Sequence, residues 1–118
     1  MGRGVHKYGA RRTTCAAGHS HPSKGEAKRC DELHLLQRAG QISGLVCEPQ
    51  YWFHYDGEPV KHDNGRRVGY KPDWRYFENN STIVEEFKGF RTEAYVLKLA
   101  FFKAAFRGIE HRETGARG

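Results

Sequence analysis

No stretch of this sequence approaches the roughly 20 apolar residues that a helix needs to cross a bilayer, and the positive charge near its N-terminus is not followed by a hydrophobic segment. Neither a membrane span nor a secretory signal is expected from it, and the expected location is cytoplasmic. Cysteine is sparse: Cys15, Cys30 and Cys47 are odd in number and irregular in spacing, which excludes a disulfide framework and implies reduced thiols. Carboxylates are missing from the start, where Arg3, Lys7, Arg11, Arg12 and Lys24 all precede the first acidic residue, Glu26. Residues 1–12, rich in Gly and Arg, thus read as a flexible basic arm, and Arg11, Arg12 and Lys24 are assigned to phosphate contact. An internal repeat is also lacking.

What is present suffices for one core. A chain of 118 residues is too short for two ordinary domains, and seven Phe, six Tyr and two Trp supply enough apolar surface for it to fold unaided. Twenty Lys and Arg against fourteen Asp and Glu leave a net charge of +6, which favours a polyanionic partner, nucleic acid first.

Local patterns predict the elements. Arg12 to Pro22 reads as a short hairpin turning at Gly18. Ser23 followed by Glu26 forms a capping box, and Ala27, Cys30, Leu33 and Leu36 recur at helical spacing, so a helix is expected over 24–39, stopped by Gly40. Leu45 to Tyr55 reads as a strand ending at Asp56-Gly57. Arg67 to Glu78 and Ser81 to Phe87 read as a hairpin about Asn79-Asn80, because Asn tolerates the positive φ of a two-residue turn. Arg91-Thr92-Glu93 opens a second helix whose apolar face carries Tyr95, Leu99, Phe102 and Phe106, and Ile109 to Glu113 is a last short strand. The fold class is α/β, ordered helix, three strands, helix, strand, with helices covering a small mixed sheet. One domain is expected over 13–113, with 114–118 frayed.

The hairpin register carries the chemistry. With Glu78 paired to Ser81, stepping outward places Asp73 opposite Glu86, and directly opposed residues have Cβ atoms roughly 5 Å apart. Two carboxylates that close repel unless a cation lies between them. Lys88, two residues beyond Glu86, projects from the same face. Hard carboxylate oxygens suit Mg²⁺ or Mn²⁺, and the set suits hydrolysis of a phosphodiester, with an ammonium to position water or stabilise developing charge. Adjoining Glu85 is assigned to the opposite face.

Pro72-Asp73 followed by Glu86-Phe87-Lys88 resembles the PD-(D/E)XK nuclease superfamily, and Glu26, within Ser23-Lys24-Gly25-Glu26-Ala27, stands where many members carry an acidic residue on the first helix. The resemblance runs from about residue 23 to 113 and extends to the element order, implying a restriction-endonuclease-like core. More narrowly, the sequence resembles small phage and prophage proteins, and in size and layout it is similar to archaeal and phage Holliday junction resolvases. The resemblance implies a Mg²⁺- or Mn²⁺-dependent DNA endonuclease in which Asp73 and Glu86 are metal ligands, Glu26 completes or orients the shell, the Phe87 carbonyl adds a ligand, and Lys88 activates water. It further implies a branched or four-way DNA substrate, and a homodimer, because resolving a junction takes two symmetric cuts.

Competing accounts apply to each feature. Asp73, Glu86 and Lys88 would also make an ordinary solvated ion pair on a hairpin. The rival functions are a nickase, exonuclease or restriction-like enzyme of the same fold, and a non-catalytic DNA-binding module. Cys15, His19, His21 and Cys30 suit zinc by type but lack its paired spacing, so a polar hairpin and a buried helix cysteine are expected instead. His62-Asp63-Asn64 reads as a loop. On the second helix Lys98 and Lys103 lie off the apolar face, either as solvated lysines or as phosphate contacts, and Lys98, nearer the site, is the one assigned to DNA. Trp52, Phe53 and Trp74 could stack on unpaired bases, but strand aromatics are more often core, and they are not assigned to DNA.

Overall fold

The computed structural model describes residues 12–115, so Arg11 and nearly all of the expected basic arm lie outside the described residues. Two short strands, β1 (Thr13–Thr14) and β2 (Ser20–His21), form the first hairpin, with Gly18 at φ 92° in its turn. Helix α1 spans Lys24–Arg38, and the Ser23 hydroxyl caps it by accepting from the Glu26 amide. Only this half of the expected capping box forms, because the Glu26 carboxylate is engaged elsewhere. Gly25 packs closely under Phe87: a Cβ there would stand 2.6 Å from the ring's Cζ, so the ring would have to shift.

The expected strand over 45–55 is broken into three. Strand β3 (Ser43–Cys47) ends at Glu48, which adopts φ 52° ahead of Pro49, and the chain resumes as β4 (Tyr51–Trp52) and β5 (His54–Tyr55). The Asp56-Gly57 turn forms as expected but joins β5 to a two-residue partner, β6 (Glu58–Pro59). The strand expected over 67–78 is likewise divided at Pro72, which lacks the amide a continuous ladder needs. It becomes β7 (Gly69–Tyr70), which pairs with β4, and β8 (Trp74–Glu78).

The central hairpin has the expected register. Strand β9 (Ser81–Phe87) pairs antiparallel with β8 from Glu78↔Ser81 to Trp74↔Glu85, and Asn79 and Asn80 take φ of 51° and 67°. Helix α2 (Glu93–Ala105) is capped by Thr92, whose hydroxyl accepts from the Tyr95 amide, and leads to β10 (Ile109–Thr114), parallel to β9. Thr114, expected to be frayed, belongs to that strand: its hydroxyl donates to Glu85 and its carbonyl accepts from Lys88.

The resulting sheet, ordered β10-β9-β8-β3, has a core on each face. Ala27, Cys30 and Leu33 of α1 pack with Trp74, Tyr76 and Ile83. On the other face Tyr95, Leu99 and Phe102 of α2 pack with Tyr70, Phe53 and Val84. Alternation along β9 divides Ile83 and Val84 between the two cores, and burying a side chain such as Phe102 contributes about 1.5–3 kcal/mol. Among the described residues no helix is long and apolar enough to cross a membrane.

Candidate active site

The β8–β9 register brings Asp73 and Glu86 together at the open end of the hairpin. One step beyond Trp74↔Glu85 places Asp73 beside Glu86, and Asp73 Oδ2 accepts the Phe87 amide at 2.7 Å. Lys88 Nζ lies 3.5 Å from Glu86 Oε2 and 4.4 Å from the centre of the Tyr95 ring. Glu26 approaches from the first turn of α1, buried, with Oε2 accepting from His21 Nδ1 at 2.7 Å. The sequence-derived set of Glu26, Asp73, Glu86 and Lys88, with Phe87, therefore lies in one region reached from α1, the start of β8 and the end of β9.

Burial and mutual repulsion shape its electrostatics. Burial first, then the adjoining Glu86 carboxylate, push the Asp73 carboxyl up to about 7 against the opposing Phe87 amide. Glu86 is raised by burial too, although Tyr70 and Lys88 work against this. Glu26 adds to the negative field on both. This concentration of carboxylate oxygens, with Lys88 beside Glu86 and His21 on Glu26, is an oxygen-rich donor set of the kind a hard divalent cation occupies. A cavity of about 520 Å³ opens onto it, lined by Arg12, His21, Glu26, Glu48 and Asp73 among others.

Several residues at the site were not foreseen. Tyr70 donates to Glu86 Oε1 at 2.9 Å and lies 2.8 Å from His111 Nε2. With the hydroxyl hydrogen committed to Glu86, the imidazole donates to the Tyr70 oxygen. Burial, followed by Lys103, lowers His111 to about 4, so the ring is neutral at physiological pH. His21 orients Glu26, and Glu48 reaches the cavity because its amide donates to the Asp73 carbonyl at 2.8 Å. These contacts join residues from separate elements and leave no periodic signal; only the position of Tyr70 three residues before Asp73 hinted at a shared site.

Glu85 faces away, as expected, but is fully buried rather than idle. It accepts from Arg29 Nε at 2.6 Å and Nη2 at 3.0 Å, from Tyr76 at 2.6 Å and from Thr114 at 2.8 Å. Burial works against its charge, and these donors outweigh it, holding the carboxyl below its ordinary value.

The expected phosphate contacts separate into two places. Arg12 lines the acidic cavity and its guanidinium binds Ser20, while Lys24 is exposed at the start of α1. Lys98 instead belongs to a larger cleft of about 980 Å³, where Lys61, Arg66, Arg67 and Lys71 surround a single carboxylate, Asp63. The sequence predicts only a loop at His62-Asp63-Asn64 and a strand from Arg67; the adjacent Arg66-Arg67 pair is the signal that points to the cleft. Trp52, expected in the core, is 39% exposed on the same cleft with Arg67 stacked 4.6 Å above its ring, whereas Phe53 and Trp74 are buried as expected.

Neither a curated protein nor a solved structure gives a match. A family model does match residues 5–114, a span that includes every carboxylate and lysine of the acidic site and the whole of the basic cleft. The chain thus belongs to the family described as proteins of unknown function, DUF1064.

Proposed function

We propose that this protein is a divalent-metal-dependent DNA endonuclease, acting on branched DNA such as a four-way junction. The observation that carries the reading is the juxtaposition of Asp73 and Glu86 across β8 and β9, with Lys88 3.5 Å from Glu86 and Glu26 adding to the same negative field. The basic cleft supports nucleic acid as the substrate, since five cations around one carboxylate suit a phosphate backbone. Counting only the strands of the four-stranded sheet, the chain runs α1, β3, β8, β9, α2, β10, an order in keeping with the one the likeness to PD-(D/E)XK nucleases implies.

Asp73 and Glu86 would hold Mg²⁺ or Mn²⁺, with Glu26 orienting the shell and the Phe87 carbonyl available beside them. When bound, the ion supplies a Lewis acid for the phosphoryl oxygen and lowers the pKa of coordinated water. The chain's own residues do the rest. Tyr70 fixes the rotamer of Glu86, His21 fixes that of Glu26, and the Phe87 amide fixes Asp73. Lys88, restrained over Tyr95, presents its ammonium to the attacking water or to the charge developing on phosphorus. Lys61, Arg66, Arg67, Lys71 and Lys98 hold the strand, and Trp52 offers an aromatic surface to an unstacked base. One chain holds one such site, so two symmetric cuts call for a homodimer.

The test is scission of a labelled four-way junction and a linear duplex of the same sequence, with and without Mg²⁺, by the wild type and Asp73→Asn. Metal-dependent cutting that favours the junction and disappears in the variant is expected. Metal-independent binding without scission of either DNA would overturn the proposal in favour of a binding module.

A further inference from the structure

The three cysteines, scattered in the sequence, converge on one imidazole. His19 Nδ1 lies 3.6 Å from Cys15 Sγ, 3.6 Å from Cys30 Sγ and 3.3 Å from Cys47 Sγ. A single ring nitrogen has one lone pair or one hydrogen, so it can make one hydrogen bond, not three. Three simultaneous approaches therefore exceed what hydrogen bonding explains. They match the edge of a coordination tetrahedron: with Zn–S near 2.3 Å and Zn–N near 2.05 Å, tetrahedral geometry puts sulfur and nitrogen about 3.55 Å apart.

We infer that Cys15, His19, Cys30 and Cys47 form a structural zinc site. Four protein donors close the tetrahedron and leave no position for a substrate, and three soft thiolates with one imidazole select zinc over the hard cations suited to the carboxylate site. His21 stands beside the cluster, with its donor atom and those of Cys15, His19 and Cys30 all within 4.8 Å of one another. The four ligands are assigned from the approach of His19 Nδ1 to all three sulfurs, and His21 is left outside the set with its Nδ1 on Glu26 Oε2. The buried Nε2 of His21 has no hydrogen-bond partner among the described residues.

The local fold suits this role. Cys15 and His19 flank the turn at Gly18, closed by the Cys15 amide on the His19 carbonyl and the Gly18 amide on the Cys15 carbonyl, both at 2.9 Å. Cys30 comes from the buried face of α1 and Cys47 from the end of β3, so one ion would tie a hairpin, a helix and a sheet edge together. The hairpin needs such a tie: β1 and β2 are two residues each, and an isolated pair that short is not stable alone. The absence of paired Cys-x₂-Cys spacing hid the site in the sequence, because each ligand but His19 arrives on a different element.

The inference concerns a resident ion and does not depend on nuclease activity. The full chain is purified without chelator and its zinc measured by mass spectrometry, then replaced by Co²⁺ and its absorption recorded. One zinc per chain and the intense thiolate-to-cobalt charge-transfer and tetrahedral d–d bands are expected. Cys47→Ala should lose stoichiometric zinc, whereas His21→Ala should keep it. The wild-type spectrum counts thiolate ligands without any variant having to fold. Substoichiometric zinc with no charge-transfer band in the wild type would overturn the site, and loss of zinc from His21→Ala with retention in His19→Ala would overturn the ligand set.

Discussion

In the absence of a bound divalent cation, raising the pH should cost stability at the acidic site, and Mg²⁺ should restore it. Asp73 is raised from 3.8 to about 7 by burial and by Glu86. A group whose folded pKa lies above its unfolded value contributes stability that is complete below the unfolded value and lost as pH rises through the folded one. The difference of about 3 units corresponds to a ceiling of about 4 kcal/mol. Asp73 is only partly buried, so solvent screening reduces the expected loss between pH 5 and 8.5 to about 1–3 kcal/mol. At about 4–8 °C per kcal/mol for a domain near this size, the melting temperature should fall by about 5–20 °C. Mg²⁺ binds the ionised carboxylates, so its stabilising increment should be small at pH 5.5 and large at pH 8.5. His21, also raised, contributes a loss in the same direction: burial opposes its charge, while Glu26 and Cys15 outweigh it. Asp73→Asn isolates the carboxyl, because the variant should lose both the Asp73 part of the slope and most of the Mg²⁺ increment. Melts followed by circular dichroism at constant ionic strength, without chelator, measure both. A Mg²⁺ increment equal at the two pH values, or undiminished in Asp73→Asn, would refute the reasoning.

Three further outcomes are expected. Arg29→Ala should destabilise by about 3–5 kcal/mol in urea unfolding, because it strands the fully buried Glu85 carboxylate; the deficit should widen as pH rises, since Glu85 then folds best protonated. Lys88→Met should suppress junction cleavage at least tenfold while calorimetric Mn²⁺ affinity stays within a few-fold of wild type, whereas Asp73→Asn should lose both. Arg66→Gln combined with Arg67→Gln should weaken DNA binding and lower the slope of log K against log salt by about 2, one for each phosphate contact removed, with melting temperature changed little.

The parts of the fold legible in the sequence are those governed by neighbours along the chain. Asn79-Asn80 sets a two-residue turn, and that turn alone determines that Asp73 meets Glu86; the Ser23 and Thr92 caps likewise locate both helix starts. Chain continuity was the misleading assumption. Residues 45–55 read as one strand only if Glu48-Pro49-Gln50 is passed over; there Glu48 turns the chain ahead of Pro49, so that β3 stays with β8 while β4 leaves for β7. Periodicity identifies the face a side chain occupies but not which remote element covers that face. Tyr70 on Glu86, Glu85 on Arg29, Lys98 beside Arg66 and Cys47 on His19 all link residues far apart in sequence, and each was invisible for that reason.

Glu26 shows how such a link redirects a local signal. Ser23-x-x-Glu26 offers its carboxylate the Ser23 amide, a hydrogen bond between neighbours at a helix end that solvent can replace. His21 offers a stronger one: its ring is 4% exposed, carries a donor that would otherwise be stranded, and is held above its ordinary pKa when paired. The buried charge-assisted bond prevails, and the capping box gives up its second half. Glu26 then owes its orientation to a residue on β2, and β2 is anchored by the cluster around His19, which immediately precedes it. The N-terminal hairpin is accordingly part of the acidic centre: it delivers the imidazole that aims the third carboxylate and places Arg12 at the mouth of the same cavity.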